Sequence, residues 1–256
     1  MSDAMFRLDG QAAIVTGASS GLGQIAARAL AGAGCAVVLT ARRAPELAAL
    51  ADEIAAAGGR AVACAADVRD PGHAEALVDR ARAAFGRLDG VVLNAGMAVH
   101  GPGEAEDLDA FAEVMEVNVT AQMRLAAACA RAMIPAGGGW MITLSSILGR
   151  RAGTGQGVAA YCASKGAVEQ LTRELARQWA PHGIRVNCMA PGYFPTPMNA
   201  VLIGDPERRA ALLSRTPMGR TGDPEDLAGV VVFLAAPASR FVTGQVLGVD
   251  GGMAVW

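Results

Sequence analysis

The chain has 256 residues, 52% of them hydrophobic, and a formal net charge of −2. That length holds one large α/β domain or two small ones, with an ample core, and the near-neutral charge gives no electrostatic case for nucleic acid or an anionic membrane as the main partner. The opening MSDAMFRLDG carries acids and no apolar stretch, and no run approaches the roughly 18–20 apolar residues of a spanning helix, so neither a secretory leader nor a membrane anchor is expected and a cytoplasmic enzyme is.

In chain order, QAAIVT (11–16) is a short β-rich run, followed by glycines and a helical stretch over 21–32. CAVVLT (35–40) is a second strand and 44–57 an Ala/Leu/Glu helix; AVACAA (61–66) is a third strand, with a helix near 72–85. LDGVVLN (88–94) is a fourth strand, and the pattern predicts one long helix over 107–133. WMITLS (140–145) is a fifth strand, 157–180 a helix, and IRVNCM (184–189) a sixth strand. A proline-rich, irregular region with at most a short helix covers 193–222, before a helix near 223–235 and a last strand at 246–249. The strands are continuous apolar runs, as suits burial on both faces. Alternation of strand and helix along the whole chain implies an α/β fold: a Rossmann-like, doubly wound parallel sheet of seven strands with helices on both faces, in a single domain over 1–256. Ligands in such sheets bind beyond the carboxyl ends of the strands, so the chemistry belongs just after the first, second, fourth, fifth and sixth.

After the first strand comes TGASSGLG, with glycine at 17, 21 and 23. Such residues permit a tight turn and a close backbone approach to phosphate at a helix N-terminus. An acid at the end of the second strand would bind the ribose hydroxyls of NAD. Here VVLTARR supplies Ala41, Arg42 and Arg43 instead, and the planar fork of Arg42 suits a 2′-phosphate, which favours NADP(H) over NAD(H). The alternative is a pair of solvated surface arginines. Five scattered cysteines and three histidines show no metal-ligand spacing and read as core thiols in a reducing compartment and isolated imidazoles.

One of only two tyrosines lies in YCASK (161–165), four residues before a lysine. On a helix the pair shares one face, and the ammonium favours the phenolate of a group whose ordinary pKa is about 10. Such a phenol can pass a proton to or from a substrate oxygen. Ser145 and Ser146 end the fifth strand, where a hydroxyl can reach the same oxygen or merely cap a turn. Asn118 sits in an apolar helix, where a buried amide is costly unless satisfied.

TGASSGLG, Asp67 after the third strand, LNAG (93–96), Asn118, the serine of SSILG, YCASK, and APG (190–192) with Thr196 occur together and in this order. Over residues 6–252 the chain resembles a short-chain dehydrogenase/reductase of the single-domain type. The resemblance implies that Gly17, Ser19, Ser20, Gly21, Leu22 and Gly23 hold the pyrophosphate and adenosine end of NADP(H), and that Asp67 and Val68 contact adenine. Asn94, Ala95 and Gly96 close the adenine pocket and stabilise the sheet. Asn118, Ser146, Tyr161 and Lys165 form the catalytic set, with Tyr161 and Lys165 also at the nicotinamide ribose. Pro191, Gly192 and Thr196 hold the carboxamide. The implied reaction is hydride transfer between nicotinamide and a carbonyl carbon, with Tyr161 protonating the oxygen, Ser146 orienting it, Lys165 lowering the tyrosine pKa and Asn118 holding a relay water. The closing VTGQVLGVDGG (242–252) resembles the strand that joins family subunits into homotetramers.

Two departures stand out. LNAG replaces the family's NNAG, and the Ser146–Tyr161 interval is longer than in the commonest members, so RRAGTGQG (150–157) is expected to bulge beside the substrate. Specificity should come from 97–100, 147–158 and the loop around 193–215. PGYFPTPMN and RTPMGRTGDPEDLAG resemble gluconate 5-dehydrogenase-like members, and also 3-oxoacyl-carrier-protein reductases. A sugar-acid carboxylate would call on Arg150, Arg151 or Arg215; Tyr193 and Phe194 would instead line an apolar pocket for an alkyl or aryl ketone. The remaining readings are a 3-oxoacyl-thioester reductase and an NADP-binding regulator without turnover.

Overall fold

The computed structural model describes residues 3–153 and 157–255. Its strands are β1 (Ala12–Thr16), β2 (Ala36–Ala41), β3 (Arg60–Ala65), β4 (Gly90–Leu93), β5 (Gly139–Leu144), β6 (Ile184–Pro191) and β7 (Val246–Val249). They form one seven-stranded sheet in the order β3-β2-β1-β4-β5-β6-β7, parallel at every pairing. The order reverses between β1 and β4, so the crevice beyond their carboxyl ends is the natural ligand site.

The helices are α1 (Gly21–Gly32), α2 (Ala44–Ala56), α3 (His73–Phe85), α4 (Leu108–Met115), α5 (Ala121–Met133), α6 (Ala159–Trp179), α7 (Ala200–Gly204), α8 (Pro206–Leu213) and α9 (Pro224–Ala235). Successive strand residues feed opposite cores, as the pleat requires. Ala13, Val15 and Leu39 pack with Leu30, Leu47 and Val231 of α1, α2 and α9. Ile14 and Val38 pack with Leu77, Met133 and Leu175 of α3, α5 and α6. With both faces covered, no polar residue is needed in alternation, and the strands read as apolar runs. Gly90 is dictated by its neighbour on β5: a Cβ there would lie 2.1 Å from the Trp140 ring.

The expected long helix over 107–133 is broken. Asp107 caps α4 by accepting from the Asp109 and Ala110 amides. A π-helical turn, Glu116–Thr120, then intervenes before α5. Sequence periodicity cannot register a single widened turn, and such turns concentrate at functional sites. The region 193–222 holds two short helices, α7 and α8, instead of at most one.

Candidate active site

The glycine loop joins β1 to α1. Gly17 and Gly21 take positive φ, +65° and +57°, conformations that favour glycine. A Cβ on Gly23 would fall 2.3 Å from the Gly17 carbonyl oxygen and 2.6 Å from Asn94 Nδ2, so the loop packs too tightly for any side chain. Ser20 is the N-cap of α1 but makes no capping hydrogen bond, and the first turn carries no acid. The helix therefore presents free amides and a positive dipole end, the arrangement that takes a pyrophosphate. Leu22 packs back on the core. Thr196 faces this loop from the far side, its Cγ2 being 3.1 Å from where a Gly21 Cβ would stand. Pro191 ends β6, and the Gly192 amide donates to the Val249 carbonyl at 2.9 Å.

Asn94 ties β4 to β1. Its Nδ2 donates to the Thr16 carbonyl at 2.8 Å, and the amides of Asn94 and Ala95 both donate to Thr16 Oγ1 at 2.9 Å. Gln122 Nε2 donates to the Ala95 carbonyl at 2.8 Å. Asp67 follows β3 and is gripped by Arg69, 2.7 Å from Nη2, which holds its carboxyl down at about 2. Val68 lines a small cavity behind it with His73, Ala95 and Gln122.

Arg42 is exposed and lies within electrostatic range of Asp67. Its neighbour Arg43 does what the sequence reading left unassigned. Arg43 Nη2 donates to Ser19 Oγ at 3.0 Å and to the Ser19 carbonyl at 3.2 Å, bridging the end of β2 to the glycine loop. The doublet RR was the signal; both members stay exposed, and Arg43 is the one that reaches the glycine loop. The donor set of free α1 amides flanked by two arginines fits an anionic dinucleotide, including one with a 2′-phosphate.

Beyond β5 the structure brings Ser146, Tyr161 and Lys165 together. Ser146, with extended backbone, accepts from the Leu148 amide at 3.2 Å and hydrogen-bonds Tyr161. Burial pushes the Tyr161 phenol up to about 12, against a downward pull from Ser146. Lys165 is the only lysine among the chain's 22 Lys and Arg residues. It is 3% exposed, its Nζ lies 5.4 Å from the Tyr161 ring centre, and it donates to the Leu144 carbonyl at 2.6 Å. Desolvation brings its pKa down to about 8. In a chain that uses arginine for every other cation, the isolated lysine was itself a legible signal, because only an amine can titrate near neutrality.

Asn118 lies in the π turn and is fully committed. Its Oδ1 accepts from the Met97 amide at 2.8 Å, while Nδ2 donates to the Met97 carbonyl at 2.9 Å and to Ser164 Oγ at 2.9 Å. Its side chain thus clips the β4 loop to α6. Gly96 runs between Asn118 and the lysine: a Cβ there would meet Asn118 Oδ1 at 3.3 Å and Lys165 Nζ at 3.6 Å.

Ser145 points away from Tyr161. It donates to the Lys165 carbonyl at 3.0 Å and to buried Glu169 at 3.3 Å. Glu169 also pairs with Arg150, whose Nη2 donates to the Val246 carbonyl at 2.7 Å. Sequence reading missed Met97, Ser164 and Glu169 as supports, since each acts through contacts distant in sequence.

Next to Ser146 opens a depression of about 280 Å³ whose wall includes Ile147, Leu212, Met253, Tyr193, Arg151 and Arg215. Phe194, expected there, is instead buried in the core against Gly222, so it shapes the loop and not the pocket. Thr154, Gly155 and Gln156, at the centre of the expected bulge, lie outside the described residues. Among the described residues no group of three His, Cys, Asp or Glu is placed to hold a metal.

A parallel sheet with the β1–β4 switch point, a glycine cradle and a Ser–Tyr–Lys cluster beyond β5 defines a nucleotide-dependent oxidoreductase, and the chain belongs to the short-chain dehydrogenase/reductase family. The matching family model, described as enoyl-(acyl carrier protein) reductase, spans residues 17–254. The chain is 42% identical over 253 residues to galactitol 2-dehydrogenase (L-tagatose-forming) of Cereibacter sphaeroides, covering 98% of each protein. It is 40% identical over 254 residues to gluconate 5-dehydrogenase of Gluconobacter oxydans, covering 98% of this chain and 97% of that one. A solved gluconate 5-dehydrogenase of Burkholderia cenocepacia, in complex with NADP and tartrate, superposes with a TM-score of 0.93 at 38% identity, covering 99% of this chain and 98% of that one.

Proposed function

We propose that this chain is an NADP(H)-dependent dehydrogenase/reductase that interconverts a secondary alcohol and a ketone on a small polyhydroxylated substrate, a sugar alcohol or sugar acid. The observation that carries the reading is the half-buried Tyr161 phenol hydrogen-bonded to Ser146, with the single lysine held beside its ring. When bound, the nicotinamide supplies or accepts the hydride at the carbonyl carbon. Every other task falls to the chain. Ser146 orients the substrate oxygen, Tyr161 gives it a proton in reduction and removes one in oxidation, and Lys165 supplies positive charge beneath the phenol and holds the ribose. Asn118 is a positioning residue: with its side chain spent on Met97 and Ser164, a relay water would have to be held by backbone of the widened turn. The sugar-dehydrogenase relatives, one crystallised with a small dicarboxylate, support a hydrophilic substrate.

The test is consumption of NADPH and of NADH against 5-ketogluconate, tagatose, an acetoacetyl thioester and a simple aryl ketone. NADPH-dependent turnover of the first two is expected. Turnover confined to the thioester would move the chain to 3-oxoacyl reduction, and cofactor binding without turnover of any ketone, in either direction, would leave the regulator.

Cofactor choice rests on the arginine doublet. Arg42→Ala is expected to raise KM for NADPH about 10–100-fold, the worth of one charge-assisted phosphate contact, with little change for NADH, and Arg43→Ala to raise KM for NADPH more than KM for NADH. Arg43→Ala should also loosen the glycine loop through Ser19. Equal losses for both cofactors, in steady-state kinetics, would show that neither arginine reads the 2′-phosphate.

β7 is a partly exposed edge strand, and Phe241 and Val255 stand in solvent, 102% and 90% exposed. This apolar edge supports assembly into a homotetramer. Light scattering should give four times the chain mass, and Phe241→Glu should lower it; a monomer at micromolar concentration rules the assembly out.

A further inference from the structure

We infer that Arg151 and Arg215 form a carboxylate clamp in the substrate cavity, so that the alcohol or ketone handled at Tyr161 carries a carboxylate. The inference rests on the reaction proposed above and narrows its substrate.

The cavity lies beside the acid/base centre. Ile147 directly follows Ser146, and Tyr193 is an electrostatic neighbour of Tyr161. It is a shallow depression that opens to solvent, and its free space of about 280 Å³ includes that opening. Ile147, Leu212 and Met253 give it an apolar wall that draws on the third, smaller core. Two arginines line it from separate segments: the half-buried Arg151 from the turn after Ser146, and the exposed Arg215 just beyond α8.

The other cations around the site are engaged. Arg150 is held by Glu169 and the Val246 carbonyl, Lys165 by the Leu144 carbonyl, and Arg43 by Ser19. Of the three arginines that the sequence offered for a carboxylate, Arg150 is therefore removed. Arg151 gives one N–H to the Met253 carbonyl, which fixes the guanidinium and leaves most of its fork unspent. Among the described residues neither Arg151 nor Arg215 pairs with an acid, a state shared with other arginines such as Arg42 and Arg60; what sets these two apart is their place on the wall of the depression beside Ser146.

Two cations without acid partners on one small, mostly apolar wall favour an anionic ligand over a neutral one. A carboxylate between them supplies the counter-charge, since each planar fork matches its two oxygens. A neutral polyol or an alkyl ketone would bury the guanidinium groups without a counter-charge.

The test uses 5-ketogluconate and L-sorbose, which differ in carrying a carboxylate or a hydroxymethyl group at one end of the same carbon chain. Each is titrated calorimetrically into the protein saturated with oxidised NADP, so that the ketone cannot be reduced, and the absorbance of reduced NADP checks that no hydroxyl is oxidised. Wild type is expected to bind the keto acid at least about 10-fold more tightly than the neutral sugar. Arg215→Ala should abolish that preference by weakening keto-acid binding, with L-sorbose binding no weaker than in wild type and the melting temperature unchanged; Arg215→Lys should restore part of the preference, and Arg151→Ala should act in the same direction. Equal binding of the two ligands by wild type, binding of neither, or equal loss of both in Arg215→Ala overturns the clamp. Keto-acid preference in binding without NADPH oxidation in the separate turnover assay would keep the clamp and sink the proposed reaction.

Discussion

Tyr161→Phe is expected to lower carbonyl reduction by about 10²–10⁴-fold, the usual worth of a positioned general acid, with the dissociation constant for NADPH unchanged. The substitution removes one oxygen and keeps the ring that lies beside Lys165. Ser146 retains the Leu148 amide, so its hydroxyl is not orphaned. Loss of rate with intact cofactor affinity, read by stopped-flow and by fluorescence titration, is the signature of a proton donor and not of a packing residue. The pH dependence carries the same information. Burial holds the phenol up to about 12 in the cofactor-free protein, so across neutral pH it carries its proton, the form that reduction needs. Alcohol oxidation needs the phenolate, so its rate should climb with pH while reduction stays flat before falling in alkali. A variant that keeps a tenth of wild-type activity, or an oxidation rate that falls as pH rises, removes Tyr161 from the acid/base role.

Much of this arrangement is legible in the sequence, for physical reasons that differ from residue to residue. The seven strands show as apolar runs because both faces of the sheet are buried; Val15 and Leu39 meet one core while Ile14 and Val38 meet the other. The glycine cradle is legible because 17, 21 and 23 must lack side chains to pack against Asn94 and Thr196. Ser146, Tyr161 and Lys165 converge because a strand end and one helix face are rigid. What stayed hidden depends on contacts between segments far apart. The π turn at Asn118 is set by the Met97 backbone, 21 residues away. The reach of Arg43 to Ser19 and the burial of Phe194 against Gly222 join segments far apart in the chain, to which a residue count is blind. Likewise the sequence offered Arg150, Arg151 and Arg215 as equals, and only buried Glu169 separates the first from the other two.

Lys165→Met is expected to eliminate turnover and, at neutral pH, to make the cofactor-free protein more stable. The lysine is buried, and desolvation brings its pKa from the ordinary 10.4 or so down to about 8. Below pH 8 the ammonium is charged in both folded and unfolded chains, and the folded state bears the full cost of burying it, on the order of 3 kcal/mol for a shift of this size. Between about pH 8 and 10.4 the unfolded chain binds more protons than the folded one, so wild-type stability rises with pH through that window. Methionine has a similar length and no charge, but it leaves the Leu144 carbonyl without its donor, a loss of about 1 kcal/mol. The variant should therefore exceed wild type by roughly 1–3 kcal/mol at pH 7, and the gap should close as pH approaches 10. Denaturant melts at a series of pH values read this directly. A variant less stable than wild type at pH 7 would mean that the bond to Leu144 outweighs desolvation and that Lys165 serves the fold. The expected gain instead marks a residue kept at the expense of stability, as active sites keep strained or buried charge where function requires it. In the proposed reaction Lys165 would serve by placing an ammonium beside a phenol that burial drives the wrong way for oxidation.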